Sequence, residues 1–178
     1  MPKDAVSDMQ SQLNVIDEVV VQLQKRLVMV RQELAPSGEI AADAFAERQH
    51  DTHALAWVAT YVEALAALAD WARDLHAAGN LGRTEHLILT IGVTEYLRQI
   101  EGGIAMSQTE YARPGDIGLE TDDILSSPQI KILLDDASKP EIRAELTELL
   151  TENSDVIFGA DGLDDEMSMI RDQFARFT

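Results

Sequence analysis

Nine apolar residues near the start of the chain are separated by alternating steps of three and four: Val6, Met9, Leu13, Ile16, Val20, Leu23, Leu27, Val30 and Leu34. An α-helix is the regular structure that brings such a series onto one face. The spacing predicts a helix over about residues 4–34, closed by Ala35-Pro36-Ser37-Gly38. A stripe of this length is either a coiled-coil seam or the core face of a long bundle helix. Val15, Val19, Val21, Val28 and Met29 broaden it beyond a two-position seam, which favours the bundle.

The rest of the chain repeats the helical period. Ala54, Trp57, Tyr61, Ala64, Leu68, Trp71 and Leu75 step by three and four within a second predicted helix at about 40–78, stopped by Gly79-Asn80-Leu81-Gly82. A third, about 83–101, carries Leu87, Ile88, Ile91, Leu97 and Ile100, and ends at Gly102-Gly103. Gly92 within it marks either close helix packing or a backbone that something else approaches. Residues 104–127 lack the period and read as an ordered loop. Short helices are expected after Ser127-Pro128 and after Ser138-Lys139-Pro140, each capped by a serine with proline in its first turn. A turn at 158–162 leads to a last helix from Leu163, with Met167, Ile170, Phe174 and Phe177 as a core stripe. The fold expected is all-α: a helical bundle with a long N-terminal helix, two further long helices and several short C-terminal ones. Its parts are the long helix at 1–38, a bundle core at 39–160 with an ordered loop at 102–127, and a C-terminal helix at 161–178. Because no glycine, proline or cap closes the last stripe, that helix is expected to lead toward a downstream domain.

Charge narrows the partners. The formal net charge is −18, from 14 Lys and Arg against 32 Asp and Glu. A phosphate backbone is repelled at long range, so no nucleic acid is expected, and an anionic membrane surface is disfavoured likewise. The apolar runs are far shorter than the roughly 20 residues of a membrane span, and no signal-peptide core opens the chain. A cytoplasmic location follows as the expectation. There are no cysteines, which excludes disulfides, thiolate metal sites and cysteine nucleophiles.

Candidate chemistry is sparse. His50 and His53 share a helix face, but a metal site needs further ligands that the pattern does not supply, so a surface pair is the simpler account. His76 and His86 end one helix and begin the next, facing each other across the turn at most. The carboxylates fall in first turns, loops and exposed faces, where helix dipoles and solubility explain them. No catalytic, cofactor-binding or metal-binding residue is assigned. The loop at 104–119 is the most specific feature, mixing apolar anchors with Met106 and Arg113. It is either a functional loop or one that packs across its own bundle.

Two stretches carry a resemblance. Asp51-Thr52-His53-Ala54-Leu55-Ala56-Trp57-Val58-Ala59-Thr60-Tyr61-Val62-Glu63-Ala64-Leu65 is the first. The second is Glu95-Tyr96-Leu97-Arg98-Gln99-Ile100-Glu101-Gly102-Gly103-Ile104-Ala105-Met106-Ser107-Gln108, continuing through Arg113-Pro114. Over about residues 40–178 the chain resembles the helical N-terminal extension of long acyl-CoA dehydrogenases of the methylsuccinyl-CoA dehydrogenase type. The closing stretch at 167–177 resembles the lead-in to the first helix of a dehydrogenase body. The resemblance implies a non-catalytic domain of an FAD-dependent enzyme that oxidises an acyl-CoA to an enoyl-CoA. It implies FAD in the full-length parent and none in this chain. The body that would bind flavin and carry the catalytic glutamate is absent, so no catalytic residue is carried over. The implied partner is that body, or a second copy met through the first helix and the Phe174/Phe177 face. The alternative is a free-standing helical interaction or oligomerisation module. A pocket between helices for a small ligand is a third possibility.

Overall fold

The computed structural model describes residues 3–39, 42–152, 163 and 165–176, without the side chains of residues 3–8 and Ala44. The expected helix start at Ile40, the side chain of Val6, the turn at 158–162 and Phe177 lie outside the described residues.

Eight α-helices are present among them: α1 (Lys3–Leu34), α2 (Ala42–Glu47), α3 (Gln49–Ala77), α4 (Arg83–Gly102), α5 (Asp122–Leu125), α6 (Pro128–Ala137), α7 (Pro140–Glu152) and α8 (Asp165–Ala175). The fold is all-α, as the periodicity requires. α1 packs along α3, α3 packs on α4, and α4 is covered on its other side by α6 and α7. The first stripe is buried as expected from Met9 to Leu34, which makes α1 a bundle helix within this chain. Val19 joins the core and Val15 packs against it, but Val21, Val28 and Met29 stay exposed. The apolar face is therefore narrower than its composition suggested.

The second predicted helix is two helices. The chain breaks at Arg48 (φ −116°, ψ 32°), whose guanidinium pairs with Asp51 at 3.0 Å. The described side chains of α2 are exposed, and burial on α3 begins only at Ala54, so no packed face holds α2 in line with α3. The core stripe of α3 also differs from the expected one. Ala54, Val58, Val62, Leu65, Ala69, Ala72 and Leu75 are buried, whereas Trp57, Tyr61, Ala64, Leu68 and Trp71 flank the seam half-buried. Small residues let α1 and α4 approach closely, and the rings cover the edges. One edge is an aromatic row in which Tyr61 stands edge-on to Tyr96 at 4.9 Å and donates to Gln99 Oε1 at 3.0 Å.

On α4, Leu87, Leu97 and Ile100 are buried and Ile88 and Ile91 are half-buried, while Leu89 and Val93 complete the core. A Cβ at Gly92 would stand 3.3 Å from Leu68 Cδ1, so close helix packing is the reading that holds. Ser127 precedes α6, with Pro128 in the first turn, but its hydroxyl makes no cap hydrogen bond. Ser138 is not the cap of α7. It closes α6, donating to the Leu134 carbonyl at 2.6 Å and accepting from Arg98 at 2.5 Å.

α3 contains a stretch long and apolar enough to cross a membrane by length and composition. That helix packs on both α1 and α4, with 28% of the stretch buried in the bundle.

Candidate interaction surface

The segment after α4 is more structured than a loop. β1 (Ile104–Ala105) and β2 (Tyr111–Ala112) form an antiparallel pair with Ile104 opposite Ala112, followed by a 3-10 turn at Pro114–Ile117 and then α5. Strands of two residues leave no alternating pattern to read in the sequence. Gly103 makes the exit from α4 with φ +107°, and a Cβ there would stand 3.1 Å from Arg113 Cγ. Glycine therefore answers two demands at once, backbone sign and space.

Ile104, Ala112, Pro114, Ile117 and Leu119 are buried and Met106 packs against the core, so the segment lies across its own bundle. What it presents outward is the polar tip at 107–109, together with Tyr111 and Arg113. The Arg113 guanidinium sits 5.2 Å from the Tyr111 ring centroid and 3.8 Å from Asp116, which fixes a cation on a surface dominated by acids. Arg26 clasps the far end, reaching Asp123 at 2.5 Å and the Glu120 carbonyl. The hydrogen bond from Arg26 holds the Asp123 carboxyl below its ordinary value.

The histidines are dispersed. His50 Nδ1 meets Glu110 Oε1 at 3.2 Å, tying α3 to the hairpin, while His53 Nε2 accepts from Trp57 Nε1 at 2.9 Å. The shared face of His50 and His53 therefore serves two separate contacts. His76 is exposed, and His86 turns to Gln12, with Nε2 2.9 Å from Oε1. Among the described residues no three His, Asp or Glu side chains are grouped to hold a metal ion.

The C-terminal helices differ from the core. α7 has no fully buried residue; Ile142, Leu146 and Leu149 are half-buried, and two ion pairs tie it to α4, Arg83 to Glu145 at 2.6 Å and Arg143 to Glu95. Hydrogen bonding to Arg83 lowers the Glu145 carboxyl, and the same bond raises the guanidinium. α8 also has no buried residue. Met167, Met169, Ile170 and Phe174 are exposed, Phe174 to 72%. The expected core stripe of this helix is thus an outward apolar face among the described residues.

The described residues define an all-α helical bundle with a short ordered hairpin after α4 and an amphipathic C-terminal helix. No protein-family model matches the chain. Over 151 residues, 83% of this chain, it is 41% identical to (2S)-methylsuccinyl-CoA dehydrogenase of Cereibacter sphaeroides. That match bears out the resemblance carried by the stretches at 51–65 and 95–114. The chain spans about a quarter (27%) of that relative's length.

Proposed function

We propose that this chain is the non-catalytic helical N-terminal domain of an FAD-dependent acyl-CoA dehydrogenase, serving packing, assembly or shielding of the active site. The observation that carries the proposal is the 41% identity across most of this chain to a minor share of a dehydrogenase. In this scheme residues 1–160 form the bundle and residues 161–178 lead toward the downstream body. FAD belongs to that body. The residues described here do not fit a dinucleotide, because the strands are two residues long and no glycine-rich turn runs from a strand into a helix N-terminus. The apolar face of α8 and the outward side of the hairpin, residues 107–109 with Tyr111 and Arg113, are the surfaces that would meet the body. The whole enzyme would act in the cytoplasm, on neither nucleic acid nor membrane, consistent with the charge of −18.

Calorimetry of the isolated chain with FAD and with an acyl-CoA tests the non-catalytic assignment, and neither is expected to bind. A sub-micromolar site for either ligand overturns it. Adding the dehydrogenase body in trans is expected to protect α8 amides from hydrogen exchange, and unchanged exchange argues against the docking.

The alternative, a free-standing association module, is favoured by one observation: Val28 of α1 is 52% exposed in a groove lined also by Leu27, Leu55 and Ala59. Sedimentation of two variants separates the readings: a module of this kind loses association with Val28→Asp, whereas association through the α8 face survives that change and is lost with Ile170→Asp and Phe174→Asp.

A further inference from the structure

A cleft of about 390 Å³ opens between α1, α4, α6 and the start of α7, with no hairpin or α8 residue in its described lining. Val15, Leu87, Leu133 and Ile142 supply apolar lining. Polar side chains also line it, and they are ordered. His86 Nε2 lies 2.9 Å from Gln12 Oε1, and Gln12 Nε2 lies 2.9 Å from Thr90 Oγ1. His86 Nδ1 makes a longer approach, 3.5 Å, to Arg83 Nη1.

The direction of these bonds follows from what each group can do. Gln12 Oε1 only accepts, so His86 carries its proton on Nε2. Arg83 only donates, so Nδ1 is the acceptor. Every bond therefore points the same way, from the guanidinium to Thr90. The Thr90 hydroxyl accepts from Gln12 and keeps its own O–H to donate. Thr90 is 8% exposed, a site where a donor left unmade is costly. Bonds aligned in series polarise one another, which makes this terminal O–H a stronger donor.

Charge selects the ligand further. The cations at the cleft are already neutralised, Arg83 by Glu145 at 2.6 Å and Lys139 by Asp136 at 2.5 Å. A carboxylate would have to break one of these pairs and approach a chain of charge −18. We infer that the cleft is a binding site for a small neutral molecule with an apolar body and a carbonyl oxygen that accepts from Thr90. Its volume falls within the range of roughly 300–1,000 Å³ common to small-molecule sites. The inference stands apart from the dehydrogenase proposal, since the cleft lies wholly within this chain.

The test is a titration of the full chain with N-cyclohexylacetamide, followed by amide chemical shifts. Saturable shifts are expected at Gln12, Thr90 and Leu133, and weaker binding is expected for cyclohexanecarboxylate. Thr90→Val should weaken binding of the amide about five- to tenfold, the scale of one hydrogen bond, while Thr90→Ser retains it. Should Thr90→Val not fold, Ile132→Trp serves in its place. Ile132 is 64% exposed among the lining residues, so the larger ring is tolerated and occludes the cleft, abolishing the shifts. Scattered or non-saturating shifts overturn the inference. So do equal affinity for the carboxylate, binding unchanged in Thr90→Val, and binding unchanged in Ile132→Trp.

Discussion

α1 and α8 are written in the same three-and-four spacing, yet Leu23 of α1 is wholly buried and Phe174 of α8 is 72% exposed. Apolar period tells that a face exists; it does not tell what covers it. On α1 the cover is α3, in the same chain. On α8, among the described residues, no side chain is buried, so its apolar face adds little to the stability of the bundle.

The largest expected effect breaks the comparison if it is wrong. Leu23→Ala should destabilise the chain by about 2–5 kcal/mol, whereas Phe174→Ala should change stability by no more than about 0.5 kcal/mol. Chemical denaturation of the two variants measures both. Equal losses would mean that α8 is packed like α1.

Next in size is the α3–α4 seam. Gly92→Val places branched atoms against Leu68 and should cost about 1–3 kcal/mol by overpacking. The same measurement on Gly115→Val, where a Cβ meets nothing within 4 Å, should show far less.

A smaller effect tests the charged attachment of α7. The Glu145 carboxyl is lowered in the folded state by its hydrogen bond from Arg83. Its contribution is therefore present above the ordinary glutamate value and is lost as pH falls through the folded one. The pair is about half exposed, so Glu145→Gln should cost at most about 1 kcal/mol at neutral pH. The variant should also lose part of the acid dependence of its thermal midpoint. An identical acid profile in both proteins would show the pair to be energetically idle.

The smallest effect on stability sharpens the comparison most. Ile170→Asp with Phe174→Asp should leave the thermal midpoint in place and reduce self-association of the isolated chain, as sedimentation reads it. A monomeric parent chain would remove the reason for the exposed face.

α1 was legible because its face is continuous and one neighbour covers it. α3 was harder: its period was clear but its seam was not. Large rings invite assignment to the core, yet Trp57, Tyr61 and Trp71 are too bulky for the narrow spaces that Ala54, Ala69 and Ala72 fill. The hairpin at 104–112 was hidden by its brevity. Ser138 misled because a serine before proline signals a helix start, and here the same hydroxyl closes the helix before it. The polar file of the cleft left no trace in the sequence. Gln12 and Thr90 are 78 positions apart, and a glutamine or threonine on an amphipathic helix is ordinarily a solvated one.

The burial of α1 against α3 also sets an order of events during synthesis. The stripe ending at Leu34 leaves the ribosome before its cover, which is complete only at Leu75, 41 residues later (75 − 34). At translation rates of about 5–20 residues per second, that interval lasts roughly 2–8 seconds. For that time the nascent chain carries the stripe without its cover, the kind of transiently exposed apolar surface that makes an incomplete chain prone to associate.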